Sequence, residues 1–508
     1  MNKVKLAIMV VSMMTLCNDA WAGGLLTNTN QNIAFNRMMS RDAAIGIDGV
    51  YSNPAGVAFM KDGAHLSLNW QLVFQTRVIK NQYPLFANNV NDPTTDRKFK
   101  GTAFAPVLPS IQFAYNWNRF SFQGHFGIVG GGGKCEFSDG LGSFEKIVSE
   151  TAMGVSQLAG AIDQVASAYG TPTQLGTMFS PNGTYSFNSY MRGRQYYYGL
   201  SLGTAYKLTP DLAVSVGVRG VYAMSNYYGY VKSIQVGSVP LYRVLDPSKT
   251  ESADIELNCD QTGVGFTPIL GIDYRLGRFN LAAKYEFKTR FRLKNTSVNR
   301  VPSIGNLPEN LVNMGIPQAV VASPVISGAM TQMKQTFDQK IEKSIGEYID
   351  GGKIAADLPA LLTVGASYKP IDPLRINAGF HYFFDKQASA YEHREDDLKR
   401  GTMEWNAGVE YDASKLVTVS AGWQSTNYGL SDKYMNDRSF VVNSNSIGVG
   451  ACLHITKKMD LNIAYFCTLY KHYKTSEPQQ LSQTVNVNFE SDYTRSNNVF
   501  GVGLDIDI

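Results

Sequence analysis

Charge is scarce in this 508-residue chain: Asp, Glu, Lys and Arg make up 17% of it, against about a quarter in soluble domains. Long apolar runs are missing too. No internal stretch reaches the roughly 18 consecutive apolar residues of a spanning helix, which excludes a helical membrane protein. The net charge of +4 is too small to mark a nucleic-acid binder. Disorder is excluded as well, because 12% aromatic residues and abundant aliphatics can bury ample surface. The six histidines (65, 125, 381, 393, 454 and 472) show no metal-ligand spacing, and there is no Gly-x-Ser-x-Gly elbow. No metal, no cofactor and no enzymatic activity are therefore expected, with a lipase or protease as a minor alternative.

At the N-terminus, Lys3 and Lys5 precede an apolar run from Leu6 to Leu16 and then Ala20-Trp21-Ala22. This is the layout of a secretory signal peptide over 1–22, with the mature chain beginning near Gly23. Export permits disulfides among Cys135, Cys259, Cys452 and Cys467. The alternation around the last two puts Cys452 and Cys467 on opposite faces of their strands, which argues against that pair.

What the chain has in quantity is alternation with period two, the mark of strands with one apolar and one polar face. Leu66, Leu68, Trp70, Leu72 and Phe74 interleave with His65, Ser67, Asn69, Gln71 and Gln75. Along 278–294, Phe279, Leu281, Tyr285, Phe287, Phe291 and Leu293 interleave with Lys284, Glu286, Lys288, Arg290, Arg292 and Lys294. About fourteen such stretches are expected: 64–78, 110–117, 119–129, 194–208, 212–225, 262–275, 278–294, 358–369, 374–385, 402–412, 416–426, 445–456, 461–472 and 496–508. Short turns and long segments alternate between them, as short periplasmic turns and long extracellular loops do in outer-membrane barrels. A soluble β-sandwich also alternates, but its strands run to about 5–6 residues. The reading is an all-β, 14-stranded antiparallel transmembrane β-barrel over 64–508, in the outer membrane of a Gram-negative bacterium, because only a closed sheet satisfies its backbone in lipid. Outward Tyr196, Tyr198, Tyr206, Trp405 and Tyr411 suit the aromatic girdles of such a barrel.

Two long loops carry helical periodicity, one over 145–169 and one with Met333, Phe337, Ile341, Ile345 and Tyr348 on one face. These extracellular helices either fold over the barrel mouth or pack on each other as a cap. Between them, 311–326 is apolar enough to need a cover or an apolar ligand. Residues 23–63 show no long alternation, and a lumen of fourteen strands needs water or a plug. That segment is the expected plug.

Ala34-Phe35, Ala43-Ala44 and above all Tyr51-Ser52-Asn53-Pro54-Ala55-Gly56-Val57-Ala58, ahead of the first strand, resemble the hatch of FadL-type outer-membrane transporters of long-chain fatty acids, a family that also carries aromatic hydrocarbons. The resemblance covers the whole chain. It implies a monomer whose partners are hydrophobic small molecules and membrane lipid, and a hatch motif at Asn53, Pro54, Ala55 and Gly56. It also implies a kink in the third strand that opens a lateral window near that motif. Phe126-Gly127-Ile128-Val129 followed by Gly130, Gly131, Gly132 and Gly133 fits such a kink, since consecutive glycines do not sustain a strand. The run is not a phosphate loop, because Ile128 stands where the first glycine belongs and Cys135 where Ser or Thr belongs.

The expected function is uptake of hydrophobic compounds, long-chain fatty acids first, captured at the loops and released through the window under hatch control. Arg219, Lys284, Lys288, Arg290 and Arg292 fall on the lumen face by phase and are candidate partners for a carboxylate, or else a solvated lining paired with Asp273, Glu286, Glu404 and Glu410. His65, His125, His381 and His454 share that face as polar lining. A general water-filled porin, an aromatic hydrocarbon transporter and an adhesive barrel are the alternatives.

Overall fold

The computed structural model describes residues 26–27, 31–481 and 485–508. The expected signal peptide lies outside the described residues. Fourteen antiparallel staves form the wall: β1 (Gly63–Gln82), β2 (Asp96–Trp117), β3 (Phe120–Phe137), β4 (Tyr185–Lys207), β5 (Leu212–Val236), β6 (Ile255–Leu276), β7 (Phe279–Glu286, resuming at Arg292–Ser297) and β8 (Lys353–Ala355, then Leu361–Ile371). They continue with β9 (Leu374–Phe383), β10 (Arg400–Asp412), β11 (Val417–Gly429), β12 (Ser444–Thr456), β13 (Met459–Tyr470, then Tyr473–Gln480) and β14 (Asn486–Asp507). Each pairs with its neighbour in sequence, and β14 returns to β1 in register from His65↔Asp507 to Gln82↔Glu490, so the sheet has no free edge. Every expected strand falls on one stave.

Alternation decides which way each side chain points. On β1, Ser67, Asn69 and Gln71 are buried inside while Leu68, Trp70 and Phe74 face outward. The staves run further than expected, with β4 and β5 at 23 and 25 residues. Their upper parts invert the pattern: on β2, Arg97, Phe99 and Ala105 point inward and are buried, while Lys98 and Lys100 are exposed outside. Above the lipid the outer face is wet and the inner face is greasy. Hydropathy therefore reads 79–109 as one long loop.

A correction concerns β7. The sequence pattern continues unbroken through 278–294, but the strand breaks between Glu286 and Arg292, and its phase slips by one residue. Lys284 and Glu286 point inward below the break; above it, Phe291 and Leu293 are buried and Arg290, Arg292 and Lys294 are exposed on the outside. Arg290 and Arg292 do not line the lumen, and Lys288 lies half-buried at the break. An unslipped strand would bury four cations and expose two large apolar side chains, so a one-residue slip that exchanges the faces is favoured.

Cys452 is buried inside the wall and Cys467 lies on the opposite face, and all four described cysteines are free. Above the barrel, the helix Gly142–Ala168 buries Leu158, Ala159, Ile162 and Ala166 against Leu307, Leu311, Val320, Val321 and Ile326. The apolar stretch 311–326 is thus covered, and the loops pack on each other as a cap. Met333, Phe337, Ile341 and Ile345 lie outside the described side chains; Tyr348 is buried.

Candidate functional site

The lower lumen is filled by residues 31–62, tied to the wall by side chains from most staves. Asn32 donates to Ser67 Oγ and Gln112 Oε1, and Asn69 Oδ1 accepts from the Ile33 amide. Arg37 and Arg41 both reach Glu410, at 2.7 and 3.1 Å, and Arg41 holds Asp48 through two nitrogens. His381 on β9 stands between Asp42 of the segment (3.0 Å) and Glu404 of β10 (2.9 Å). All these groups are buried or nearly so, where a charge needs a partner. Between segment and wall, beside Tyr51, Lys284, Thr363 and His381, lies a cavity of about 50 Å³. That is room for a few waters.

Asn53 donates to Asp273 Oδ2 (2.6 Å) on β6, and Pro54 O accepts from Gln123 on β3 (2.7 Å). Ala55 is fully buried against Ala205 and Ala213. At Gly56 any Cβ would stand 2.3 Å from Asn53 Nδ2 and 2.8 Å from Asp273 Oδ2, which explains the glycine in the motif. Arg219 and Lys284 both pair with Glu286, at 2.7 and 2.8 Å, and both lie over the Tyr51 ring. Lys288 and Arg292 pair with the buried Asp357 at 3.5 and 3.1 Å.

The wall is interrupted between β2 and β3. Their register runs from Trp117↔Phe120 to Ser110↔Gly127 and resumes only at Ala103↔Cys135, so Phe104–Pro109 and Ile128–Lys134 are not paired with each other. On its other side β3 stays joined to β4, but with register shifts at Ile128/Gly130 and Gly131/Gly133. Gly131 has φ +73, and a Cβ there would lie 2.6 Å from Gln195 O. Gly130, Gly131, Gly132 and Gly133 lie within this unpaired stretch.

The residue of the 31–62 segment at this gap is Gln31. Its Nε2 donates to Ile128 O on β3 (2.8 Å), its carbonyl accepts from Ser110 Oγ and Gln112 Nε2 on β2, and its Oε1 lies 3.2 Å from His125 Nε2. One side chain and its carbonyl bridge the two strands that have parted. Gly127 makes room for it, since a Cβ there would meet Gln31 Oε1 at 2.3 Å. Asn53 and Pro54 make their contacts elsewhere, on β3 near its lower end and on β6. No sequence motif marks Gln31.

Beside the gap the lining turns apolar. Val129 at the kink joins Tyr197, Val221, Phe291, Leu293, Ile354 and Leu358 in one cluster that crosses the lumen. Above it Ile79, Phe99, Phe137, Tyr428, Phe440 and Tyr493 form a second, under the loop cap. Two cations face one another there: Arg77 of β1 and Arg495 of β14 are direct cross-strand partners. They lie over the Phe440 and Tyr470 rings at 5.9 and 5.1 Å. Arg495 Nε is buried without a hydrogen-bond partner, and among the described residues no carboxylate is ion-paired with Arg495. The wet phase that begins at His65 runs on to Arg77 and is legible in the sequence; the pairing with Arg495 appears only when the barrel closes.

No protein-family model matches the chain, and no curated protein matches it in sequence. Solved structures do match. A FadL homologue of Pseudomonas aeruginosa aligns at TM-score 0.58 and 14% identity over 96% of this chain and 100% of its own. The toluene transporter TbuX of Ralstonia pickettii aligns at 0.50 and 15% over 94% and 98%, and a deltaS2 mutant of the monoaromatic hydrocarbon channel TodX at 0.53 and 13% over 94% and 99%. A closed fourteen-stave wall with a lipid-facing apolar belt is a transmembrane barrel of the Gram-negative outer membrane. Within that class the chain has the FadL-type fold.

Proposed function

We propose that this chain carries hydrophobic small molecules across the outer membrane and releases them sideways through the gap between β2 and β3, with residues 23–63 as the plug that closes the straight route. The observation behind this reading is that the apolar cluster from Phe291 and Leu358 ends on Val129 at the gap, directly above the polar seal made by Gln31. A ligand in that cluster gains about 25 cal/mol for each Å² of apolar surface it buries, and it meets polar groups below and an opening beside it. Release of Gln31 from Ser110, Gln112 and Ile128 widens that opening. A filled lower lumen speaks against a general porin.

Long-chain fatty acids are the first substrate class. The unpartnered Nε of Arg495, opposite Arg77 in an apolar pocket, suits a carboxylate followed by a hydrocarbon chain. Aromatic hydrocarbons are the second reading, since toluene and monoaromatic hydrocarbons are the cargo named for TbuX and TodX. Uptake of labelled oleate, labelled toluene and a small sugar by liposomes carrying the refolded mature chain tests both. Oleate entry with the sugar excluded is expected; sugar entry at porin rates defeats the plug. Replacing Gly130, Gly131, Gly132 and Gly133 by alanine is expected to impair oleate entry in a folded barrel, and undiminished entry would sink the lateral route.

A further inference from the structure

Just above the apolar belt the outer wall carries two clusters of cations that the transport reading does not use. On β7 and β8, Arg290, Arg292, Lys294 and Lys353 are all exposed, and Lys294 and Lys353 are direct cross-strand partners. Arg292 is 56% exposed even though one nitrogen is fixed on the buried Asp357. The other acids near this patch are engaged: Asp260 accepts from Asn226, and Asp350 from the Ser297 amide. Arg290, Lys294 and Lys353 have no ion-pair partner among the described residues. The slip in β7 turns Arg290, Arg292 and Lys294 toward the membrane instead of the lumen.

The second cluster lies across the barrel, six staves away. Lys80 of β1 pairs across to Lys98 of β2, and Lys100 sits opposite Val78. All three are exposed without an ion-pair partner among the described residues, while the neighbouring Asp492 is held by His472. Below them the outer face ends in the ring pair Phe74–Phe104. Six residues of tilted strand from Phe74 to Lys80 raise the lysine by roughly 15 Å, and a lysine stem reaches several ångströms back toward the belt.

Like charges placed directly across a sheet repel, so the Lys294–Lys353 and Lys80–Lys98 pairs each call for an anion. At this height in an outer membrane, the anions beside hydrocarbon chains are the phosphates of the outer-leaflet glycolipid. We propose that the Arg290/Arg292/Lys294/Lys353 and Lys80/Lys98/Lys100 clusters each bind a phosphate group of lipid A, and so hold the barrel at a fixed depth and rotation in the leaflet.

The test is native mass spectrometry of the detergent-solubilised mature protein titrated with bisphosphorylated lipid A, and separately with the dephosphorylated lipid. Two bound bisphosphorylated lipids are expected, falling to one in R292Q/K294Q/K353Q and to none when K80Q/K98Q/K100Q is added. Each triple change weakens its site about a hundredfold, at roughly fivefold per cation. The control K415Q/K457Q/K458Q, at the periplasmic turns, keeps two lipids. R292K/K294R/K353R keeps the charge and is expected to keep the lipid, which separates lost binding from lost folding. Equal binding of the dephosphorylated lipid, unchanged stoichiometry in the neutralised variants, or full displacement by inorganic phosphate at matched phosphate concentration each overturns the proposal.

Discussion

Below its middle, the lumen is polar, with Arg37, Arg41, Asp48 and Glu410 in one buried network and most staves contributing a hydrogen bond to residues 31–62. Above its middle, Phe99, Phe137 and Phe440 pack in one apolar cluster and Phe291 and Leu358 in another, by side chains that form no hydrogen bonds. The difference decides what each half can exchange. A buried hydrogen bond specifies its partner, and removing that partner leaves a costly orphan. Apolar contact specifies only volume and surface, so a foreign chain can take the place of a side chain at little cost. The lower half therefore holds one segment in one position, and the upper half suits many occupants. Gln31 sits where the two meet.

The largest break in this contrast is expected from Glu410→Ala. It takes the carboxylate from buried Arg37 and leaves Arg41 with Asp48 alone, a loss of about 3–5 kcal/mol. Thermal unfolding should fall accordingly, and single-channel conductance should rise as residues 31–62 loosen. Phe291→Ala attacks the other half. It opens a cavity for about 3 kcal/mol of stability, and it should lower oleate entry while leaving conductance at the wild-type level. A conductance change in this variant would mean that the two halves are one coupled unit.

Gln31→Ala removes the side-chain half of the bridge, its contacts with Ile128 O and His125, about 1 kcal/mol at roughly half a kcal/mol each, and keeps the carbonyl bonds from Ser110 and Gln112. Faster oleate entry at low ligand concentration is expected in liposomes, with Gly127→Ala in the same direction and smaller, since the Gln31 side chain can swing aside. Arg495→Gln sharpens the comparison within the upper half. Oleate affinity measured by titration calorimetry should weaken about tenfold, the cost of one charge-assisted bond, while toluene entry stays the same. Equal losses for both ligands would assign Arg495 to packing.

Much of this was legible before the fold. The lipid-facing alternation located each stave, and phase alone put Arg219, Lys284, Glu286, Glu404, Glu410 and the four inward histidines inside. Phase failed at Arg290 and Arg292, because a strand that alternates without interruption hides a slip: either parity gives a credible face. It also failed at the tops of β1 and β2, where the greasy side is the inner one. Gln31 was not legible, being one amide in an Asn/Gln-rich stretch whose role depends on two strands parting 79–97 residues further along the chain. The Arg77–Arg495 pair needs the first and last staves brought together. The Asn-Pro-Ala-Gly motif was legible as a motif, and Asp273 and Gln123 became its partners only through the closed wall.

Because β7 changes face between Glu286 and Thr289, its tolerance to substitution inverts along its length. Below the break, even-numbered positions such as Lys284 admit only polar replacements and odd-numbered ones admit any hydrocarbon. Above it, odd-numbered Phe291 and Leu293 become the intolerant set, and even-numbered Arg292 and Lys294 the permissive one for folding. A saturation scan of this single strand would show two parities meeting at residues 287–289, and a related chain aligned by hydropathy alone would be misplaced by one residue over everything that follows.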